Sequence, residues 1–173
     1  MLIGIVSDTH RNKGLHTEVL NAFSEAGVDR VYHLGDDYAD SELEIEYGFD
    51  VVRIPGLYCP EYKNREIEKV AYDTVQGIRM VMSHDLQDIP ESDLRCHDII
   101  LHGHTHKMEI RVENGRIYMN PGHLKNTVDK GRAATYGMID VDMGVINTKI
   151  FEVSGKAALE VSFKKEDTGL YKI

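Results

Sequence analysis

The sequence predicts an α/β fold whose first half is built on parallel strands and whose second half is antiparallel. In the first half, short apolar segments alternate with segments of helical spacing, which is the pattern of strands joined by crossover helices. In the second half, pairs of apolar segments flank short turn sequences, which indicates hairpins. One mixed sheet, or two packed sheets with helices outside, satisfies both halves.

The elements of the first half follow from their apolar spacing. Residues 2–7 form a continuous apolar run, as expected of a central strand covered on both faces. Apolar residues then recur at helical spacing up to Ala26, and Gly27 ends the pattern as a helix-terminating glycine does. The predicted elements are a strand at 2–7, a helix at 15–26, a strand at 29–34, a short acidic helix at 39–47 and a strand at 51–54. Residues 56–63 show no clear period and are predicted to be a loop.

Three hairpins are predicted in the second half, and each has a glycine in its turn. They pair residues 67–75 with 78–83, 110–113 with 116–119, and 135–141 with 145–153. A short helix at 91–96 and strands at 98–101 and 158–163 complete the prediction. We therefore expect one domain over residues 1–163 and a polar, frayed tail over residues 164–173.

The composition limits the function classes. The chain has 173 residues, enough for one domain with a sizeable core, and a formal net charge of −9. That balance argues against general binding of nucleic acid or of an anionic membrane, which needs a positive surface. No segment approaches the length of a membrane span, and the apolar N-terminus is interpreted as a buried strand rather than a signal peptide. Two cysteines, Cys59 and Cys96, do not make a disulfide framework, so we expect a cytoplasmic protein.

Acidic and imidazole side chains follow four of the predicted strands. The segments are Asp8-Thr9-His10, Gly35-Asp36-Asp37, Ser83-His84-Asp85 and His102-Gly103-His104-Thr105-His106. Because ligands of open α/β sheets bind outside the carboxyl ends of the strands, we expect the four segments to converge on one crevice.

Metal binding is the chemistry that these residue types favour. Carboxylate oxygen and imidazole nitrogen suit Mn, Fe and Zn, and the ligands suffice for two ions. Two ions can clamp a phosphoryl group and activate a water. Taken alone, Asp36 also fits a helix cap and His84 a core histidine. His104 and His106 alone fit the surface, but the four segments together favour a metal site.

The order of these segments resembles the calcineurin-like metallophosphoesterase family. The resemblance spans residues 1–153, and Gly103-His104-Thr105-His106 followed by Asn120-Pro121-Gly122 is similar to its small bacterial and archaeal phosphodiesterase (YfcE-like) branch. It implies a four-layer α/β/β/α sandwich of two mixed β-sheets flanked by helices, with a dinuclear site. By the same resemblance, the first metal is held by Asp8, His10 and His106, the second by His84 and His104, and Asp36 bridges them.

The sequence departs from this family after the third predicted strand. Members of the branch usually carry Gly-Asn there, and the asparagine binds the second metal and contacts phosphate. Here Leu57 follows Gly56 and cannot coordinate a metal. Either the second site is weak, or Cys59 or Glu61 substitutes as a ligand; Cys59 alternatively is a small buried hydrophobe. His123 stands where relatives often have serine, and it is expected to face either phosphate or solvent.

Three further titratable residues lie near these segments or on the predicted elements that carry them. Asp37 is expected either to orient a histidine ligand or to be solvated. His33 alternates with Val31 in the second strand and is interpreted as a packed residue or as support for a ligand. His16 is expected at the surface.

The resemblance implies a metal-dependent phosphoesterase. The favoured hypothesis is a phosphodiesterase in which Asp36, His84 and His104 act through the metals and an activated water. Two divalent ions are expected, with manganese favoured over iron, zinc, nickel or magnesium. The expected partner is a small phosphorylated substrate, and assembly into a homo-oligomer stays open. The alternatives are a weak or inactive metal-binding scaffold on the same fold, which Leu57 favours, and a module that only binds a nucleotide.

Overall fold

The structure is a computed structural model that describes residues 1–166 and 169–173. Its strands are β1 (Leu2–Val6), β2 (Arg30–His33), β3 (Asp50–Arg53), β4 (Val70–Val75), β5 (Ile78–Ser83), β6 (Ile99–Leu101), β7 (Glu109–Glu113), β8 (Arg116–Asn120), β9 (Val128–Asp129), β10 (Arg132–Ala133), β11 (Thr135–Asp142), β12 (Val145–Glu152), β13 (Ala157–Glu166) and β14 (Gly169–Lys172). The α-helices are α1 (Lys13–Ala26), α2 (Glu42–Glu46) and α3 (Glu91–Cys96), and short 3-10 turns cover Tyr38–Ser41, Pro60–Lys63 and Leu86–Asp88.

Two large mixed sheets organise these strands. The seven-stranded sheet has the order β14-β13-β12-β11-β1-β2-β3, in which β1, β2 and β3 are parallel and the other neighbours antiparallel. The five-stranded sheet has the order β4-β5-β6-β8-β7, with a parallel centre and antiparallel edges. A two-stranded ribbon of β9 and β10 stands apart. The parallel first half and the hairpins of the second half are both confirmed.

The buried side chains define four layers. The largest core cluster joins Ile3 and Ile5 of one sheet to Met80, Met82 and Leu101 of the other, so the sheets pack face to face. A second cluster packs α1 on the outer face of the seven-stranded sheet, and a third packs the region of α3 on the outer face of the five-stranded sheet. This is the predicted α/β/β/α sandwich, and of the two arrangements left open it is the pair of packed sheets.

Helix α1 shows how local signals set an element. The Asn12 side chain caps its first turn by accepting a hydrogen bond from the Leu15 backbone N–H at 3.2 Å, and Gly27 ends it in the left-handed conformation at φ 72°. The predicted helix at 39–47 is instead a 3-10 turn followed by the five-residue α2. No helix among the described residues is long and apolar enough to cross a membrane.

The predicted frayed tail is wrong for the part of it that the structure describes. β13 continues to Glu166, and β14 pairs antiparallel with it from Gly169 to Lys172 at the edge of the seven-stranded sheet. Leu170 is buried in the core between the sheets, which gives this polar segment an apolar anchor. Residues 167 and 168 of the predicted tail lie outside the described residues.

Candidate metal centre

The six predicted ligands lie at the ends of four strands, and each sheet supplies three of them. The seven-stranded sheet supplies Asp8 and His10 after β1 and Asp36 after β2, and the five-stranded sheet supplies His84 after β5 and His104 and His106 after β6. The strand ends therefore meet at one edge of the sandwich, where α/β sheets bind ligands.

Asp8, His10 and His106 form one group, whose ligand atoms lie within 4.8 Å of one another. His10 Nδ1 lies 2.8 Å from Asp36 Oδ2. His106 Nδ1 lies 2.8 Å from Asp129 Oδ2. Each ring can thus donate its Nδ1 hydrogen to a carboxylate, which in the neutral form leaves a lone pair on Nε2. The two Nε2 atoms face each other at 3.1 Å, so a cation between them would remove the repulsion of two lone pairs.

Asp8, Asp36 and His84 form a second group within the same distance limit. His84 Nδ1 donates a hydrogen bond to the Leu34 carbonyl oxygen at 2.8 Å, which leaves Nε2 as an acceptor. That Nε2 atom is buried without a hydrogen-bond partner and lies 3.8 Å from Asp8 Oδ1. A buried acceptor that faces a carboxylate oxygen is costly unless a cation lies between them. These residues therefore fit a divalent metal.

Asp8 belongs to both groups, and its two oxygens have different surroundings. Oδ2 accepts hydrogen bonds from the Ser7 hydroxyl at 2.7 Å and from the His104 backbone N–H at 3.0 Å. Oδ1 lies 3.2 Å from His106 Nε2, on the side where His84 also points. One oxygen is therefore anchored by donors, and the other faces the imidazole nitrogens.

Asp36 belongs to the second group only, and His104 belongs to neither group. Burial raises the pKa of Asp36, but the hydrogen bond from His10 and the charges of nearby histidines outweigh it and hold the pKa below its usual value. The His104 ring centroid is 5.3 Å from that of His84. The residue common to both groups is Asp8 rather than Asp36, and the assignment of Asp36 as the bridge and of His104 as a ligand stays a prediction.

Most of the candidate ligands have a left-handed backbone. The φ angles are 53° at Asp8, 47° at His10, 98° at Asp36, 64° at His104 and 55° at His106. Such angles are uncommon in residues with a side chain and persist only where the surroundings enforce them. Their concentration at one place makes this strand edge a candidate functional site.

Two polar side chains hold the ligand-bearing loops in these conformations. Asp40 Oδ2 accepts the Thr9 hydroxyl at 2.6 Å and the Arg11 backbone N–H at 2.8 Å, which fixes the loop after β1. Asn120 is fully buried and donates to the Gly103 carbonyl oxygen at 2.8 Å, which fixes the loop after β6. Asp40 carries no motif in the sequence, whereas Asn120 belongs to the Asn-Pro-Gly segment that was singled out.

Two glycines allow the loops to approach each other closely. A Cβ atom at Gly103 would lie 1.9 Å from Ser7 Oγ and 3.0 Å from Asp8 Oδ2. A Cβ atom at Gly56 would lie 2.2 Å from the Asp36 Cα atom. Only glycine fits either place without moving a candidate ligand.

The predicted substitutes for the missing asparagine stay outside both groups of ligand atoms. Cys59 is buried, and its Sγ atom donates to the Gly56 carbonyl oxygen at 3.1 Å, as a small buried side chain would. Glu61 lies in the 3-10 turn Pro60–Lys63 and is half-buried. Leu57 follows Gly56, which packs against Asp36. Among the described residues, no metal-ligand group includes Cys59 or Glu61.

Asp37 and His123 also lie next to the candidate ligands. Asp37 Oδ1 accepts a hydrogen bond from Arg11 Nε at 3.1 Å, so its partner is an arginine. His123 is fully buried, with its ring centroid 5.3 Å from that of His106, which corrects the expectation of a solvent-facing side chain. Burial lowers the pKa of His123, and its Nδ1 atom has no hydrogen-bond partner.

Asp129 is a site residue that the sequence reasoning missed. It lies in the β9–β10 ribbon and accepts from His106 Nδ1, which orients a candidate ligand from behind. Hydrogen bonding to Asp8 raises the pKa of His106, and Asp129 adds to that effect although burial opposes it. The turn sequence Lys130-Gly131 after it is the one local signal that predicts the ribbon.

A second cluster of ligand types lies beneath the site. His16, His33 and Glu44 are buried together, which confirms His33 as packed and corrects the surface prediction for His16. Glu44 Oε1 lies 2.6 Å from His33 Nδ1 and 3.0 Å from His16 Nε2. Burial lowers the pKa of His33, but the charge and hydrogen bond of Glu44 outweigh it and raise the pKa above its ordinary value.

Comparisons with known proteins agree with this geometry. Residues 1–144 match the model of the calcineurin-like phosphoesterase superfamily domain. A probable metallophosphoesterase from Methanothermobacter thermautotrophicus is 25% identical over 177 residues, which cover 95% of this chain and 100% of the relative. Vacuolar protein sorting 29 from Cryptosporidium parvum has a similar structure, with a TM-score of 0.74 at 15% identity over 95% of this chain and 98% of that one. The phosphoesterase YfcE from E. coli has a TM-score of 0.73 at 18% identity over 93% and 98% of the two chains.

Proposed function

The chain belongs to the calcineurin-like phosphoesterase superfamily, and we propose that it is a phosphodiesterase that works with two divalent metal ions held between its two sheets. The observation that carries the proposal is the pair of ligand groups that share Asp8, each with acceptor atoms facing one another. A divalent cation in each group would relieve both contacts. The ligand types are carboxylate and imidazole, which suit manganese.

Divalent metal ions supply the positive charge that neutralises phosphate oxygens and acidifies an attacking water. The chain's own residues set the positions for that chemistry. Two donors, the Ser7 hydroxyl and the His104 backbone N–H, anchor the Oδ2 atom of Asp8, which leaves Oδ1 to face the imidazole nitrogens. The Leu34 carbonyl oxygen fixes the tautomer of His84, so that Nε2 points into the site as an acceptor. Asp129 does the same for His106.

A diester is the substrate class that the surroundings favour. One cavity of about 390 Å³ is lined by His106, and another of about 650 Å³ is lined by Leu57, the residue after Gly56, which packs against Asp36. A phosphodiester carries two alcohol groups, and we expect each cavity to hold one of them. No histidine occurs in residues 56–63 to protonate a leaving alkoxide, so esters of acidic alcohols should react best.

The test is hydrolysis of bis-p-nitrophenyl phosphate by chelator-treated protein, with and without added Mn²⁺. We expect turnover only with metal, and we expect Asp36→Ala and His84→Ala to abolish it. Asp142→Ala and His97→Ala are the matched controls, since Asp142 is exposed at a hairpin and His97 lies at the end of α3. Full activity in either site variant, with circular dichroism unchanged, would contradict the scheme.

A metal-binding scaffold without turnover is the second candidate, and Leu57 is the observation that favours it. The residue occupies the loop position next to Asp36 where an amide ligand is expected from the family resemblance. A protein that binds two Mn²⁺ by calorimetry but hydrolyses no ester would support this candidate over the phosphodiesterase. Both free cysteines fit the cytoplasmic location that we propose in either case.

A further inference from the structure

A basic cavity lies next to the proposed active site. It has a volume of about 650 Å³ and is formed by the segment from Leu57 to Val70. Three cationic side chains line it, Lys63, Arg65 and Lys69, together with the single acidic residue Glu68. The side chains that line the cavity thus carry a formal charge of +2, whereas the whole chain carries −9.

The three cations lack carboxylate partners. Among the described residues, no ion pair within 4.0 Å involves Lys63, Arg65 or Lys69, whereas cations elsewhere on the surface commonly have one. The Lys69 Nζ atom instead lies 3.8 Å from the centroid of the Tyr62 ring. A cation–π contact positions an ammonium group without neutralising it, so its hydrogens stay available for an anion.

Two contacts connect the lining of the cavity to the loops that carry candidate ligands. Leu57 follows Gly56, which packs against the Asp36 backbone. The Tyr62 hydroxyl donates to Asp88 at 2.9 Å, and Asp88 lies in the 3-10 turn that follows His84 by two residues. Leu57 and Tyr62, which line the cavity, are thus tied to the segments that carry Asp36 and His84.

We propose that this basic cavity binds a second phosphate group, carried by the substrate on an alcohol group of the scissile diester. This inference rests on the proposed function, since it names the class of diester that the site would prefer. Arg65 can bind two phosphate oxygens at once, and lysine ammonium groups add point charges. Leu57 supplies an apolar wall between the second phosphate and the scissile one.

Two substrates that differ by one phosphate test the inference. These are thymidine 5′-(p-nitrophenyl phosphate) and the same compound with a 3′-phosphate, which share the scissile bond. With Mn²⁺, we expect kcat/KM to be roughly tenfold higher for the 3′-phosphorylated ester, as a few charge-assisted contacts at an open surface would give. We expect the ratio of the two kcat/KM values to fall to about one in the triple variant Lys63→Gln/Arg65→Gln/Lys69→Gln, because the charges that bind the second phosphate are removed.

The matched control is Lys149→Gln/Lys156→Gln/Lys164→Gln. It removes the same number of charges from exposed lysines that are ion-paired to Glu160, Glu152 and Glu166. The control should keep the wild-type ratio, and circular dichroism should show that both triple variants are folded. An equal loss of preference in the control would overturn the inference in favour of general electrostatic attraction.

A binding measurement separates failure of the inference from failure of the proposed function. By calorimetry, thymidine 3′,5′-bisphosphate should bind wild-type protein more tightly than thymidine 5′-phosphate, and the cavity variant should lose the difference. Hydrolysis of both esters at equal kcat/KM, with equal affinity for the two nucleotides, would overturn the inference and leave the phosphodiesterase intact. Absence of any metal-dependent hydrolysis would instead overturn the proposed function, while preferential binding of the bisphosphate would still support the cavity.

Discussion

The Nδ1 atom of His106 lies 2.8 Å from a carboxylate oxygen of Asp129, and this contact turns Nε2 of the same ring toward Asp8. A carboxylate behind an imidazole ligand fixes its tautomer and its orientation. The short β9–β10 ribbon therefore orients a residue of the candidate metal centre, although no ribbon residue belongs to the ligand groups found among the described residues.

Replacement of Asp129 by Asn should weaken metal binding without unfolding the protein. An amide can accept the His106 hydrogen bond but lacks the charge that favours a basic ligand, so we expect a loss of about 10- to 100-fold in Mn²⁺ affinity. Calorimetry on chelator-treated protein measures it. Asp142→Asn is the control, since Asp142 is an exposed residue of a hairpin. Unchanged affinity in Asp129→Asn would show that the contact has no role in the centre.

Replacement of Leu57 by Asn should increase turnover. The amide oxygen offers a ligand where the leucine offers none, and the residue follows Gly56 beside Asp36. We expect Mn²⁺-dependent kcat/KM for bis-p-nitrophenyl phosphate to rise about tenfold, the effect of one added contact to a metal or to charge in the transition state. Leu57→Ala, which removes bulk without adding a ligand, should not reproduce the gain. Equal effects of the two variants would assign the change to access rather than to coordination.

Replacement of Gly103 by Ala should damage both stability and metal binding. The added Cβ would lie 1.9 Å from Ser7 Oγ and 3.0 Å from Asp8 Oδ2, so the ligand must shift. Overpacking of this kind costs about 1–3 kcal/mol of unfolding free energy. Gly14→Ala is the control, because its Cβ has only Asn12 Oδ1 at 3.6 Å and lies in α1, where alanine should change stability by less than about 1 kcal/mol. Urea unfolding compares the two, and equal stability of both variants would refute the prediction.

The buried pair of His33 and Glu44 should make stability depend on pH. The pKa of His33 is raised in the folded protein, so its contribution is fully present below the pKa of an unfolded histidine, about 6.5, and is lost as pH rises through the folded value. Burial raises the pKa of Glu44 but the two histidines lower it further, so its contribution is lost only in acid.

The variant Glu44→Gln tests this dependence. Loss of the buried carboxylate should cost roughly 3–5 kcal/mol of unfolding free energy at pH 6, and less at pH 9, where His33 carries less charge. Urea unfolding at both values, in the presence of a chelator, gives the difference. Glu46→Gln on the exposed face of the same helix is the control. A cost that is the same at pH 6 and pH 9 would contradict the predicted role of His33.

Local sequence signals predicted the hairpins whose turns are specified by the residues of the turn itself. The Asn114-Gly115 turn and the Gln76-Gly77 turn specify hairpins because few residues tolerate the positive φ angles of such turns. Strands β9 and β10 have two residues each, too few to show a period. β14 was missed because its one buried apolar residue, Leu170, lies in an otherwise polar segment.

In the candidate site too, some residues could be predicted from the sequence and others could not. Its six candidate ligands directly follow strands, so their positions could be predicted from the strands alone. Asp129 and Asp40 could not, because Asp129 contacts His106 from 23 residues away along the chain and Asp40 contacts Thr9 from 31 residues away, without a motif. His16 was placed at the surface because its burial depends on Glu44, a partner on another helix.

The division of the six ligands between the two sheets has a consequence for folding. An ion bound by Asp8 and His106, or by Asp36 and His84, would cross-link segments that are far apart in the sequence and belong to different layers. The two sheets could then separate at this edge only if the ion were released. Metal affinity would thus report on the docking of the whole sandwich, and free metal above its dissociation constant would raise the melting temperature as any ligand of the native state does.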